Sequence, residues 1–117
     1  MKYLLRIEEA VQLLATVYLN YQLALPGWWY WAFFFTPDLS MIGYLINKRL
    51  GAALYNTVHH KGVAIVCWLT GVYLQQGELQ FAGLVLYGHS SFDRLCGYGL
   101  KYEDDFKHTH LGWIGKK

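Results

Sequence analysis

The stretch AVQLLATVYLNYQLALPGWWYWAFFFTP, residues 10–37, carries no charged side chain along its whole length. It is too long for one buried helix of an ordinary domain, and Pro26-Gly27 breaks it near its middle. About 20 apolar residues at a rise of about 1.5 Å each cross a hydrocarbon core about 30 Å thick. The stretch therefore reads as parts of two membrane-spanning helices joined by a tight turn. Asp38 follows directly, inside what remains of the second segment.

Working outward, Asn47-Lys48-Arg49 and Gln75-Gln76-Gly77-Glu78 supply two further turn-like breaks. They divide the chain into segments of about 3–25, 27–46, 50–74 and 79–100 with a tail over 101–117. The predicted fold is all-α: one domain of four transmembrane helices in an antiparallel bundle. Composition agrees, with 55% hydrophobic, 18% aromatic and only 15% charged residues against about 25% charged in a soluble chain. Mean hydropathy is +0.17, a figure held down because that scale scores the five Trp and ten Tyr as polar.

Charge is segregated along the chain. Lys2 and Arg6 open the first segment, and Lys48 and Arg49 separate the second from the third. Arg94, Lys101, Lys107, Lys116 and Lys117 end or follow the fourth, whereas the turns at Gly27 and Gly77 have neither Lys nor Arg. That asymmetry predicts a membrane protein of four spans with both termini cytoplasmic. The competing architecture, a soluble four-helix bundle, has no reason to sort its charges this way. Glu8, Glu9 and the lack of a small-x-small cleavage site make the N-terminus a retained first span. The expected partners are the lipid bilayer and a small-molecule ligand of unknown class, with room for a homo-oligomer. A net charge of +2 without a basic patch excludes nucleic acid. Cys67 and Cys96, with no CxxC spacing, read as isolated thiols.

Polar residues inside such segments cost at least about 2.5–3.5 kcal/mol for a charge at bilayer centre, which makes them functional candidates. Asp38 lies ten residues before Lys48 and His59 ten after Arg49, each about 15 Å from the inner loop; Asp93 lies about 12 Å before Lys101. His89 and Asp93 share a helix face at a spacing of four. Thr36-Pro37-Asp38 predicts a break that frees a main-chain carbonyl and lets Asp38 project inward. Two imidazoles and two carboxylates suit Zn, Mn or Fe, so Asp38, His59, His89 and Asp93 form the candidate metal set and the candidate catalytic set. Ser40, Asn56 and Arg94 are candidate ligand contacts, Arg94 for an anionic group. The dense Gly, aromatic and His content of 97–112 predicts a tail that folds back over the cytoplasmic mouth. That brings Tyr98 and Lys101 in as ligand contacts and His110 as an acid–base residue.

The motifs LLRIE (4–8), PDLSMIGY (37–44), GAALYNTVHH (51–60), HSSFDRLCGYGLKY (89–102) and FKHTHLG (106–112) resemble the domain-of-unknown-function 4260 family of small bacterial integral membrane proteins. In the last motif that family commonly has Asp where this chain has His108. The resemblance implies a fold and placement in the bacterial inner (cytoplasmic) membrane but no activity. Pro37-Asp38, Ser40, His59 and His89 with Asp93 are also similar, more weakly, to membrane-bound metal-dependent hydrolases, without the fuller acidic and His-Arg elements of that group.

Two carboxylates and two imidazoles at membrane depth support a metal-dependent hydrolase of a lipid or other membrane-partitioned ester or phosphoester. The same residues suit a proton-coupled or ligand-binding transport protein, or a structural helper whose polar core only sets helix register.

Overall fold

A computed structural model describes residues 2–96, 108, 109 and 111–113. Among the described residues five α-helices are present: α1 (Lys2–Tyr21), α2 (Trp28–Phe33), α3 (Lys48–His59), α4 (Lys61–Leu74) and α5 (Gly77–Leu95), with a 3-10 helix over Thr36–Leu45 between α2 and α3. The described residues are all-helical in their regular structure apart from a two-residue antiparallel pairing of β1 (His108–Thr109) with β2 (Gly112–Trp113).

The three expected breaks fall at element boundaries. Two of the four expected spans are themselves broken, which corrects the reading of continuous helices over 27–46 and 50–74. No described helix is long and apolar enough to cross a membrane. The first break has its cause in Pro37, which has no N–H to continue an α-helix from α2. The chain tightens instead into i→i+3 bonding, with Asp38 N–H donating to Phe35 O at 3.1 Å. Ten residues of 3-10 helix is long for a form usually confined to three or four, a feature that tends to mark hinges or functional segments. At the second break His60 leaves helical geometry with φ −77° and ψ 121°, and its Nδ1 caps α4 by accepting from Gly62 N–H at 3.0 Å. The carbonyl that α3 leaves behind at His59 is taken by the Ser90 hydroxyl at 2.8 Å. Asn47 caps α3 in the usual way, its side chain accepting from Leu50 N–H at 2.7 Å.

α5 is the central helix, packed against α1 and α4 on its flanks and touching α2 and α3. Gly83 permits its close approach to α4, since a Cβ there would stand 2.6 Å from the Trp68 main-chain nitrogen. The core gathers Tyr30, Phe34, Leu84 and Val85, with Leu13, Val17, Leu23, Trp68 and Phe92 packed around them. Tyr30 is anchored by a 2.6 Å bond between its hydroxyl and Thr16. The aromatic run 28–35 is thus split: Tyr30 and Phe34 are buried while Trp28, Trp31, Phe33 and Phe35 are exposed. The outer surface of α1, the 3-10 helix and α4 is strongly apolar, with Leu4, Ile7, Val11, Leu14, Leu39, Ile42, Val66, Leu69 and Tyr73 among its exposed side chains.

Candidate metal centre

Four side chains from three elements converge beside the two helix breaks. Asp38 comes from the first turn of the 3-10 helix, His59 from the last residue of α3, and His89 and Asp93 from one face of α5. Their ligating atoms all lie within 4.8 Å of one another. His89 Nε2 stands 3.0 Å from Asp38 Oδ1 and 3.5 Å from Asp93 Oδ2. His59 Nε2 stands 3.3 Å from Asp93 Oδ2 and 3.7 Å from Asp38 Oδ1. Both imidazoles and Asp93 are withdrawn from solvent, while the Asp38 side chain is 40% exposed and forms the open side of the cluster.

Main-chain carbonyls orient both imidazoles. His59 Nδ1 lies 2.9 Å from Tyr55 O, and His89 Nδ1 lies 2.8 Å from Phe34 O. A carbonyl only accepts, so each Nδ1 carries a proton and donates it. In a neutral ring that leaves Nε2 as a bare lone pair, and both Nε2 atoms face the carboxylates. The His59 Nε2 atom is buried and makes no hydrogen bond. Lone pairs set against carboxylate oxygens at these distances repel unless a positive charge lies among them, either protons on the rings or a bound cation.

The geometry fits a cation. Metal–ligand bonds of about 2.0–2.2 Å place tetrahedral ligand atoms about 3.3–3.6 Å apart and neighbouring octahedral ones about 2.8–3.1 Å apart. Of the four His–Asp separations, 3.0 Å falls in the octahedral range, 3.3 and 3.5 Å in the tetrahedral one, and 3.7 Å just beyond it. A histidine ligand that donates its other nitrogen to a carbonyl is the usual outer arrangement of metal sites.

The origin of the Phe34 carbonyl can be traced to one residue. Its 3-10 donor would be residue 37, a proline without N–H, and its α-helical donor would be Asp38 N–H, which bonds Phe35 O instead. The orphaned acceptor is filled by His89 across the core. One proline thus breaks the helix, presents Asp38 and holds the histidine opposite it.

Among proteins of known sequence, residues 2–114 match the family described as Domain of unknown function (DUF4260). The chain belongs to this family. No curated protein and no solved structure matches it, so the weaker resemblance to membrane-bound hydrolases gains no support from known relatives.

The remaining candidate residues of this family member fall in different places. Ser40 lies two residues beyond Asp38, with its hydroxyl buried and without a hydrogen-bond partner among the described residues. Asn56 is half-buried on α3, one residue after Tyr55. Arg94 is not brought to the cluster. One residue beyond Asp93 it is turned about 100° round the helix, and it lies close enough to Lys61 and Tyr87 to interact with them electrostatically. Tyr98, Lys101 and His110 lie outside the described residues, as does most of the tail expected to cap the mouth. Within that tail the β1–β2 hairpin buries Thr109, whose Oγ accepts from Leu111 N–H at 3.1 Å.

Sequence reasoning missed Tyr55. Its hydroxyl donates to Asp93 Oδ2 at 2.9 Å, and its ring stacks on His59 with centroids 3.8 Å apart and planes within 10°. It therefore holds one ligand by hydrogen bond and another by ring contact. The available signal was its spacing, one helical turn before His59.

Proposed function

We propose that Asp38, His59, His89 and Asp93 hold one divalent transition-metal ion in a bundle embedded in the bacterial inner membrane, and that the centre hydrolyses a lipid or another membrane-partitioned ester or phosphoester. The observation that carries the metal reading is the locked pair of imidazoles, both Nδ1 protons committed to carbonyls and both Nε2 lone pairs turned on two carboxylates. The membrane placement is supported by the sorted Lys and Arg residues and by the apolar outer surface. Broken helices agree with it, because non-helical backbone at membrane depth is tolerated where it is buried in protein or lines a cavity.

Such an ion supplies Lewis acidity, polarising a carbonyl or phosphoryl oxygen and acidifying water. The chain's own residues supply the rest. Tyr55 fixes one oxygen of Asp93, and the Phe34 and Tyr55 carbonyls hold both rings in one tautomer. The partly exposed Asp38 is the one carboxylate that a substrate can approach, and it can accept a proton at its free oxygen. Four protein ligands fill a tetrahedron, the closed arrangement of a structural zinc site. Hydrolysis needs further coordination positions, which favours Mn or Fe over Zn.

The test compares elemental analysis of the detergent-purified protein with that of a His89→Ala, Asp93→Ala double variant. A near-stoichiometric transition metal lost in the variant is expected, and activity on lipid esters or phosphoesters should vanish with it. Absence of metal from both preparations, after each has been offered Mn, Fe and Zn, overturns the reading. A second reading, proton binding or relay, draws on one contact: His89 Nε2 and Asp38 Oδ1 are 3.0 Å apart, the length of an imidazolium–carboxylate hydrogen bond. Metal-free protein whose ligand binding follows pH would favour it.

A further inference from the structure

The 3-10 helix sorts its side chains by its own period. At three residues per turn, positions i, i+3 and i+6 stand in line, so Thr36–Leu45 presents three strips. Leu39, Ile42 and Leu45 form the outer strip, 74%, 65% and 84% exposed. Pro37, Ser40 and Gly43 form the inner one, with Pro37, Gly43 and the Ser40 hydroxyl oxygen buried. Asp38, Met41 and Tyr44 form the third, and all three are half-buried. Exposure that follows a period of three means that this helix holds one rotation, and that rotation decides where Asp38 points. In an α-helix, at about 100° per residue, Asp38 and Tyr44 would lie about 120° apart. In the 3-10 form they share one face, about 12 Å apart along its axis.

Asp38 lacks a holder of its own. Asp93 is fixed by the Tyr55 hydroxyl, whereas among the described residues the Asp38 carboxylate has hydrogen-bond or ion-pair partners only in the two imidazoles of the centre. Its direction therefore depends on the helix that carries it. At the far end of that helix the Tyr44 ring lies in a notch of α3 at Gly51, where a Cβ would stand 2.3, 2.4 and 2.6 Å from its Cγ, Cδ1 and Cδ2 atoms. Only glycine leaves room for the ring. Beside it a Cβ at Gly43 would meet Gly51 Cα at 3.0 Å and the Leu50 carbonyl oxygen at 3.1 Å, so the two backbones meet here as well. Gly51, Tyr55 and His59 follow one another at four-residue spacing along one stripe of α3. The notch is thus in register with His59 and with the tyrosine that steadies Asp93. Tyr44 and Asp38 both lie close enough to Tyr55 to interact with it electrostatically.

We infer that Tyr44 is a positioning residue of the metal centre: its ring, seated on Gly51, fixes the rotation of the 3-10 helix against α3 and so aims Asp38 at the ion. The inference rests on the metal reading proposed above. Pro37 frees the carbonyl that orients His89, and Tyr44, seven residues on, sets the carboxylate opposite that histidine. Without the ring the segment is free to relax towards α-helical winding, which turns Asp38 out of line with α3.

The test is a double-mutant cycle on the intact, detergent-purified protein, with affinity for Mn²⁺ and for Zn²⁺ read by chelator competition. Tyr44→Ala removes the ring, and Gly51→Ala drives it from its seat. The second also improves the helix propensity of α3, so it displaces the ring without loosening that helix, and it carries the cycle should Tyr44→Ala impair folding. Each substitution should weaken binding about tenfold in the parent, but less than about twofold once Asp38→Ala has removed the carboxylate through which Tyr44 acts. Tyr44→Phe keeps the ring and should restore binding to within about twofold of the parent. Equal weakening with and without Asp38, or no weakening by either substitution in the parent, overturns the inference and leaves the metal centre standing. A parent that takes up neither ion overturns the metal reading and this inference with it.

Discussion

Asp93→Asn separates a metal site from a merely polar core because the two effects have opposite signs. Asp93 Oδ2 is 3.3 Å from His59 Nε2, 3.5 Å from His89 Nε2 and 2.9 Å from the Tyr55 hydroxyl. Asparagine keeps the shape but can place an NH₂ group there, whose two protons satisfy the two bare Nε2 lone pairs without any cation, a gain of two hydrogen bonds against the loss of the one from Tyr55. The metal-free variant should therefore melt no lower than the metal-free parent. Metal binding should suffer, since even the loss of an outer partner weakens it about 10–100-fold, and a lost ligand does at least that. At an ion concentration one hundred times the parent's dissociation constant, the parent gains about 2.7 kcal/mol, and a variant weakened a hundredfold gains about 0.4 kcal/mol. At about 4 °C per kcal/mol for a chain of this size, the expected metal-induced rise is about 10 °C for the parent and under about 2 °C for the variant. Thermal unfolding of detergent-purified protein, followed by circular dichroism with and without Mn, Fe or Zn, measures both. An equal metal-induced rise in the two proteins, or a metal-free Asp93→Asn that melts well below the parent, would refute the reasoning.

Other expectations rest on single contacts. Tyr55→Phe removes the hydrogen bond to Asp93 but keeps the ring on His59, and should weaken the ion about 10–100-fold in a chelator competition. Pro37→Ala restores an N–H that competes for the Phe34 carbonyl, so His89 loses its orienting acceptor; the same competition should show weaker binding in a chain that stays helical by circular dichroism. Ion uptake requires unprotonated imidazole and carboxylate, so it should release protons and tighten as pH rises, which calorimetry in buffers of different ionisation heat would reveal. Gly83→Ala sets a Cβ 2.6 Å from the Trp68 main-chain nitrogen and 2.8 Å from the Ala64 carbonyl oxygen, whereas a Cβ at Gly77 meets nothing within 4 Å, so Gly77→Ala is the control. The first should destabilise by about 1–3 kcal/mol and the second much less, as read from denaturant midpoints.

Much of this architecture was legible along the chain because it depends on local chemistry. Pro26-Gly27 directly precedes α2, Asn47 caps the start of α3, and Gln75 closes α4 just before α5 begins at Gly77, so each lies at an element boundary. The four metal-site candidates also came from local facts: charged or titratable groups inside apolar stretches, one pair at helical spacing and one carboxylate after a proline. Residue spacing could not reveal that His60 would cap a new helix, because that break depends on Ser90 from α5 taking the His59 carbonyl. Nor could it show that Lys61 of α4 reaches Glu9 of α1.

The sequence by itself determined which residues could carry chemistry and where the chain had to turn, because burial cost and missing N–H groups act within a few residues. Only the tertiary structure decided that Asp38, His59, His89 and Asp93 face one point. That convergence requires helix rotations set by long-range packing, and it requires the Phe34 carbonyl, orphaned by Pro37, to find His89 fifty-five residues away in sequence.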